Sequence, residues 1–231
     1  MNYFAPPFWL LFRHMATIIS RDDKPAAFSV ALRADLLSGK YSAGEWLKQA
    51  DLESAYGANR FEVRIALAEL NVQGLLEHFP NRGYRVCQHT EAEREQLYEV
   101  RTLLEVAACR LVVQRATDEQ IAQFESLVKL FDEAIENERL ARLQELNFKL
   151  HSQLYGMSGN PMLENQIRNL RERGIPGMKG MWDAQKSIRE SSADHVEMLE
   201  MLKRRDADGL AAIVYRHLNS WRRQAKAAAA A

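Results

Sequence analysis

The chain has 231 residues, 47% of them hydrophobic and 27% charged, enough for one large or two modest globular domains. Eleven Gly and six Pro argue for helices over a turn-rich β protein. A formal net charge of zero, with basic and acidic residues balanced between 21 and 90, excludes a domain whose overall positive charge would advertise nucleic acid. Any DNA contact must therefore come from local charge on one surface, from residues such as Arg33, Arg60, Arg64, Arg82 and Arg85.

Residues 1–20 form an N-terminal extension. Its apolar run from Phe4 to Phe12 is too short to span a bilayer and lacks the n-region and cleavage site of a secretory signal; Met15 offers an alternative start. Residues 25–38 place Phe28, Val30, Ala31, Leu32, Ala34, Leu36 and Leu37 on a helical stripe opened by Pro25 and closed by Gly39. A turn at Tyr41-Ser42-Ala43-Gly44 then leads to Trp46 and Leu47, expected to pack beneath the next elements.

From Gln49 to Leu70, two short apolar-periodic runs are separated by Gly57-Ala58-Asn59, a helix-turn-helix pattern. The first run is expected to bury Leu52 and Ala55. Gly57 permits the left-handed backbone of the turn, and Asn59 stands where a side-chain oxygen caps the second helix. Arg60 and Arg64 are four apart, on one face near that helix's start, and Arg reads guanine edges or holds phosphate. The bland alternative is an ordinary solvated helical hairpin. After Gly74, two β-forming segments flank Pro80-Asn81-Arg82-Gly83, a hairpin signal, and a hairpin directly after a helix-turn-helix is a winged helix.

Leu32-Arg33, Ser38-Gly39, Ala43-Gly44, Asn59-Arg60, Val63-Arg64, Ala66-Leu67, Leu70, Gly74-Leu75 and Pro80-Asn81-Arg82-Gly83 together resemble the winged-helix domain of GntR-family transcription regulators. The resemblance implies a dimer on double-stranded operator DNA, with Arg33, Asn59, Arg60, Phe61, Arg64, Arg82 and Gly83 as the DNA-binding set. Glu62 replaces the usual Pro, Ile65 the usual Glu, and Phe61 is bulky for a base-facing position, so the operator sequence is open.

Thr90 opens a second, all-α domain over residues 90–226, followed by a tail at 227–231. Thr90 and Glu93 have capping-box spacing. Apolar spacing places helices near 91–114, 118–137, 139–157, 161–172, 184–204 and 207–225, with the segment from Gly174 to Gly180 interrupting helix five or following it as a loop. Asn147 and His151 share a helix face. His195 and His217 each lie eleven residues from a turn at Asp206, so in an antiparallel pair both stand about 16 Å above it, abreast. Three converging imidazoles and an oxygen suit Zn²⁺ or Ni²⁺; the alternative is a hydrogen-bonded structural cluster.

Glu145-Leu146-Asn147, Leu150-His151, Leu154, Ser158-Gly159-Asn160-Pro161-Met162-Leu163, Asp194-His195 and Arg216-His217-Leu218 resemble the FCD ligand-binding domain of FadR-type GntR regulators. The resemblance implies a divalent metal on Asn147, His151, His195 and His217, with Asn147 at the usual Asp position, and a small carboxylate effector. Arg101, matching the family's R-x-x-L-E run with Glu105, would clamp that effector or instead pair with a neighbouring acid; Tyr98 and Asn219 are weaker pocket candidates. His14, His78 and His89 read as surface residues without partners. Cys87 and Cys109 lack metal-ligand spacing and read as reduced thiols of a cytoplasmic protein. The competing class is a metal-dependent hydrolase on the three histidines, which needs a carboxylate base; neither Asp194 nor Glu197 shares the face of His195.

Overall fold

The computed structural model describes residues 24–137, 140–174 and 185–220. Expectations for the N-terminal extension, His14, Met15, the segment after Gly174, the helix beyond 220 and the tail lie outside these residues.

The first unit is built on α1 (Lys24–Leu37), β1 (Trp46–Leu47), α2 (Gln49–Tyr56), α3 (Arg60–Val72), β2 (Leu76–Phe79) and β3 (Gly83–Val86). Phe28, Leu32 and Leu36 recur at helical spacing along α1 and bury against Val63, Ala66, Leu67 and Leu70 of α3. α2 ends where Gly57 takes φ 62°, and α3 starts at once under a capping box. Asn59 Oδ1 accepts from the Phe61 and Glu62 amides at 2.9 and 3.0 Å, and Glu62 accepts from the Asn59 amide at 2.8 Å. The cap therefore determines where the helix begins and which side chains stand at its front.

The wing is a three-stranded antiparallel sheet of order β1-β3-β2, in which β1 pairs Trp46 with Arg85 and Leu47 with Tyr84. The hairpin was legible in the sequence; the two-residue third strand was not, being too short to alternate. Leu47 packs inward as expected, but Trp46 stays exposed, edge-on to Phe79. Ala55 is also exposed, because the eight-residue α2 offers its inward face through Leu52.

The second unit is helical: α4 (Glu91–Arg115), α5 (Asp118–Glu136), α6 (Leu140–Gly156), α7 (Pro161–Gly174), α8 (Gln185–Lys203) and α9 (Ala207–Leu218). Helix starts follow local chemistry: capping boxes Thr90/Glu93 and Thr117/Gln120, and Asp206 accepting from the Gly209 amide at 2.8 Å. α4 packs on α6, α7 and α9, and α5 on α6 and α8, around Phe124, Phe131, Leu150, Leu154, Tyr155, Met198, Leu202 and Leu210. Facing sides of α6, α8 and α9 thereby point their polar residues into one apolar interior.

Candidate DNA-binding face and histidine centre

At the front of α3, Arg60, Phe61 and Arg64 point outward; Phe61 is 69% exposed, and neither arginine is drawn into an ion pair among the described residues. The helix's acids are occupied elsewhere, Glu62 in the cap and Glu69 with the Ser29 hydroxyl at 2.8 Å. Arg82 sits at the wing tip, 5.1 Å from the Trp46 ring, and Gly83 takes φ 94° where the hairpin reverses. Arg85 is held by Glu77 through Nε at 3.1 Å.

Two residues of the expected DNA set are spoken for. The Asn59 oxygen is committed to the helix cap. Arg33 is a correction: its guanidinium forms an ion pair with Glu172, a residue 3% exposed on α7, so it faces the helical unit. His89 is a second correction, since its Nε2 lies 2.9 Å from the Arg173 carbonyl oxygen. His78 is exposed as expected but lies against Tyr84, centroids 4.7 Å apart.

In the bundle, α6, α8 and α9 bring His151, His195 and His217 together, with one ring nitrogen of each within 4.8 Å of the others. Ring centroids are 5.3, 5.1 and 5.2 Å apart for the pairs 151–195, 151–217 and 195–217. His151 and His195 are 2% and 1% exposed. Burial, reinforced by the Arg171 guanidinium and the neighbouring His217, holds both well below the usual imidazole value, so both are neutral at pH 7 with lone pairs available. Among the described residues neither has a hydrogen-bond partner on either ring nitrogen, and Asn147 Oδ1 is likewise buried without one. Unpaired buried polar atoms are costly, and a cation between the rings would engage one nitrogen of each.

His217 differs. Its Nδ1 lies 3.1 Å from Asp194 Oδ2, while Asp194 Oδ1 accepts from Arg216 Nε at 2.9 Å. A carboxylate behind an imidazole selects the tautomer that leaves Nε2 as the lone-pair donor. Burial alone would raise the Asp194 pKa, but the His217 and Arg216 contacts outweigh it and hold it down. The sequence reading placed Asp194 off the face of His195; its partner is a histidine on the next helix.

Beside the histidines lies a buried ionic cluster. Glu105, 0% exposed, accepts from Arg101 Nε at 2.7 Å, Arg171 Nη1 at 3.0 Å and the Tyr155 hydroxyl at 2.6 Å. Arg101 is thus in the ion pair posed as the alternative to an effector clamp, with its guanidinium 4.6 Å from the centroid of buried Tyr98. Asn219 caps α9, donating to the Tyr215 carbonyl at 2.7 Å. Arg171 and Tyr155 were missed in the sequence. Tyr155 was findable, one turn beyond His151 and 6.2 Å from its ring; Arg171, 66 residues from Glu105, carried no local signal.

Comparison with known proteins decides the family. The FCD domain profile matches residues 96–220, and that of the bacterial regulatory proteins of the gntR family matches 29–86. The chain belongs to the GntR family. Among relatives of this GntR regulator, the Nta operon transcriptional regulator of Aminobacter aminovorans is 30% identical over 79% of this chain and 85% of its own length. The HTH-type transcriptional repressor RspR of Escherichia coli is 27% identical over 79% and 75%. The solved structure of E. coli McbR/YncC superposes with TM-score 0.78 at 22% identity, over 88% of this chain and 95% of that one. A putative GntR regulator from Rhodococcus sp. RHA1 gives 0.76 at 20% identity, over 87% and 97%. These neighbours share the fold, a winged helix followed by a helical FCD domain.

The GntR regulator is a transcription regulator and not an enzyme, and the hydrolase alternative finds no support. Chemistry agrees: Asp194, the carboxylate next to the histidines, is tied to His217 and Arg216. Burial pushes the thiols of Cys87 and Cys109 up to about 11 and about 12, with Glu77 and Glu105 adding to the effect, so neither is a ready nucleophile. Among the described residues no helix is long and apolar enough to cross a membrane.

Proposed function

We propose that this GntR regulator is a cytoplasmic, ligand-responsive repressor that binds a pseudo-palindromic operator as a homodimer, with Arg60, Phe61 and Arg64 entering the major groove and Arg82 and Gly83 reaching the adjacent backbone or groove. The observation carrying this reading is the outward presentation of Arg60, Phe61 and Arg64 on a helix whose own acids are engaged elsewhere. A neutral chain needs such local arrangement to attract DNA, since uncompensated acids on the same face would cancel the guanidinium charge. Two copies related by a two-fold axis would read two half-sites about one helical turn apart. Repression is favoured by the relative RspR, which carries that function in its name.

The test is fluorescence-anisotropy titration of the full chain against a duplex selected from a random library by the protein itself. Arg64→Ala should weaken binding about tenfold or more, the equivalent of one lost base-edge pair at roughly 1–3 kcal/mol. Equal affinity for variant and wild type would remove α3 as the reading helix.

The FCD pocket is proposed to take a small carboxylate, with a divalent ion, Zn²⁺ or Ni²⁺, on His151, His195, His217 and Asn147. Such an ion would supply a positive centre to which an anion adds directly. Support comes from the unpaired nitrogens of His151 and His195, the buried Asn147 oxygen and the carboxylate-backed His217. With Asn147 neutral, the donor set carries no negative charge, and the cluster of Arg101, Arg171 and Glu105 adds a net positive one. Both features favour an anionic occupant.

A further inference from the structure

The last turn of α7 touches both units of the molecule through consecutive residues. Arg171 reaches into the bundle, where its Nη1 donates to Glu105 at 3.0 Å. Glu172 turns the other way and pairs with Arg33 on α1. Arg173 donates Nε to the carbonyl of Gln73 at 3.0 Å, and its own carbonyl oxygen lies 2.9 Å from His89 Nε2. Gln73 is the C-cap of α3, the helix that presents Arg60 and Arg64 at its other end. A cation on the carbonyl terminus of a helix complements its dipole, so Arg173 serves as a C-terminal cap lent by the FCD domain. Gly74 makes room for it: with φ 76°, a Cβ there would lie only 2.7 Å from Arg173 Nε.

The pocket side of the turn is as closely fitted. A Cβ at Gly174 would stand 3.6 Å from Leu97 and 3.9 Å from Arg101 Nη1, so the end of α7 rests directly on α4 and on the guanidinium beside Glu105. Residues 171–173 occupy one helical turn with about 1.5 Å rise each and point in three directions, so none shifts along the helix without the others. Hydrogen bonds at 3.0 Å weaken steeply beyond about 3.5 Å. An anion that recruits Arg171 from Glu105 removes the tether holding this turn on α4, and the change passes to Glu172 and Arg173.

The geometry points to the last turn of α7, Arg171-Glu172-Arg173, as the link by which the state of the buried ionic cluster is read at the C-terminal end of the recognition helix. Its regulatory meaning rests on the repressor reading above, but its physical content needs no DNA. In this arrangement Arg173 is a positioning residue for α3, and Arg171 acts on α3 only through the shared turn.

Amide hydrogen exchange of the full chain, read by mass spectrometry, tests it. The reporters are the amides of Gln73, Gly74 and Leu75, bonded to Glu69, Asn71 and Leu70 at 3.0, 2.9 and 3.0 Å; the controls are peptides from the wing hairpin and from α5. Arg173→Met should speed exchange at 73–75 roughly five- to tenfold, the size expected for the net worth of one hydrogen bond. Arg171→Met, at a residue with no hydrogen bond or ion pair to the winged helix among the described residues, should speed the same amides while the controls stay at wild-type rates. The double variant should exceed neither single by more than about twofold, because both cut one path. Wild-type exchange at 73–75 in Arg171→Met, or a double variant equal to the product of the singles, overturns the proposal and makes the two arginines independent local contacts. If Arg171→Met disturbs the α5 control, Arg171→Lys keeps the charge, removes the fork and is read the same way. Loss of duplex affinity in Arg64→Ala is measured separately, so failure of the DNA reading and failure of this link are distinct outcomes.

Discussion

At the scale of single residues, Asn147 matters most because it puts a neutral oxygen in the proposed donor set. It is one turn before His151, and among the described residues its oxygen is buried without a hydrogen-bond partner, as are both ring nitrogens of His151 and His195. A carboxamide oxygen donates more weakly than a carboxylate and leaves a bound divalent ion uncompensated. Elemental analysis of protein purified without chelator should find about one Zn or Ni per chain, and His151→Ala should lose it. Asn147→Asp should bind metal about tenfold more tightly in competition titration with a chromophoric chelator, since it restores a charge to the donor set. Unchanged affinity would place Asn147 outside the coordination sphere. The convergence of His151, His195 and His217 was legible from spacing and resemblance; the role of Asp194 was not, because its partner His217 stands on another helix.

Among elements, α3 shows how much a short local signal can decide. Asn59 and Glu62 close a reciprocal cap, and that cap starts the helix at Arg60 and leaves Arg60, Phe61 and Arg64 outside. Asn59→Ala removes the acceptor used by two amides and should cost about 1 kcal/mol, within the usual range of roughly 0.5–2 for lost N-caps. Urea unfolding of the full chain checks this, and the same variant should weaken duplex binding because the first turn frays. A variant as stable as wild type would mean that Glu62 alone holds the start of the helix. The bounds of α4 to α8 follow the apolar periodicity within two residues where they are described, whereas α9 starts at Ala207 as expected but ends at Leu218, short of the expected 225. The exceptions are β1, too short to alternate, and Ala55, whose small side chain looks apolar in sequence yet faces outward.

Across the whole molecule, two hydrophobic clusters, one in each unit, are joined by polar contacts at the end of α7. Within the larger unit, Glu105 is the point where α4, α6 and α7 meet, through Arg101, Tyr155 and Arg171. Burial alone would raise its pKa, but the Arg101 and Arg171 guanidiniums prevail and hold it below the usual carboxylate value. A depressed folded pKa means that Glu105 contributes its stability fully above the unfolded value of about 4.3 and loses it as pH falls toward the folded one. At pH 7, Glu105→Gln should cost about 3–5 kcal/mol by leaving two buried cations without a counter-charge. That difference should shrink steadily below about pH 4.3, as protonation costs the wild type the same interaction. Denaturant midpoints at pH 7, 5 and 3.5 measure it, and a difference constant with pH would show that the carboxylate is not what joins the helices.

What the sequence by itself determined is what neighbours along the chain decide: helix starts from their caps, helix faces from apolar spacing, the wing from its turn residues. The matched heights of His195 and His217 belong here too, since equal counts from one turn give equal rise. What only the tertiary structure decided is which charge meets which. Arg33 pairs with Glu172 across 139 residues, Arg173 with Gln73 across 100 and Arg171 with Glu105 across 66. Periodicity assigns a residue to a face but does not say what that face will meet. For a charged side chain the partner, more than the face, settles whether it is free for DNA, held in a core or joining two domains.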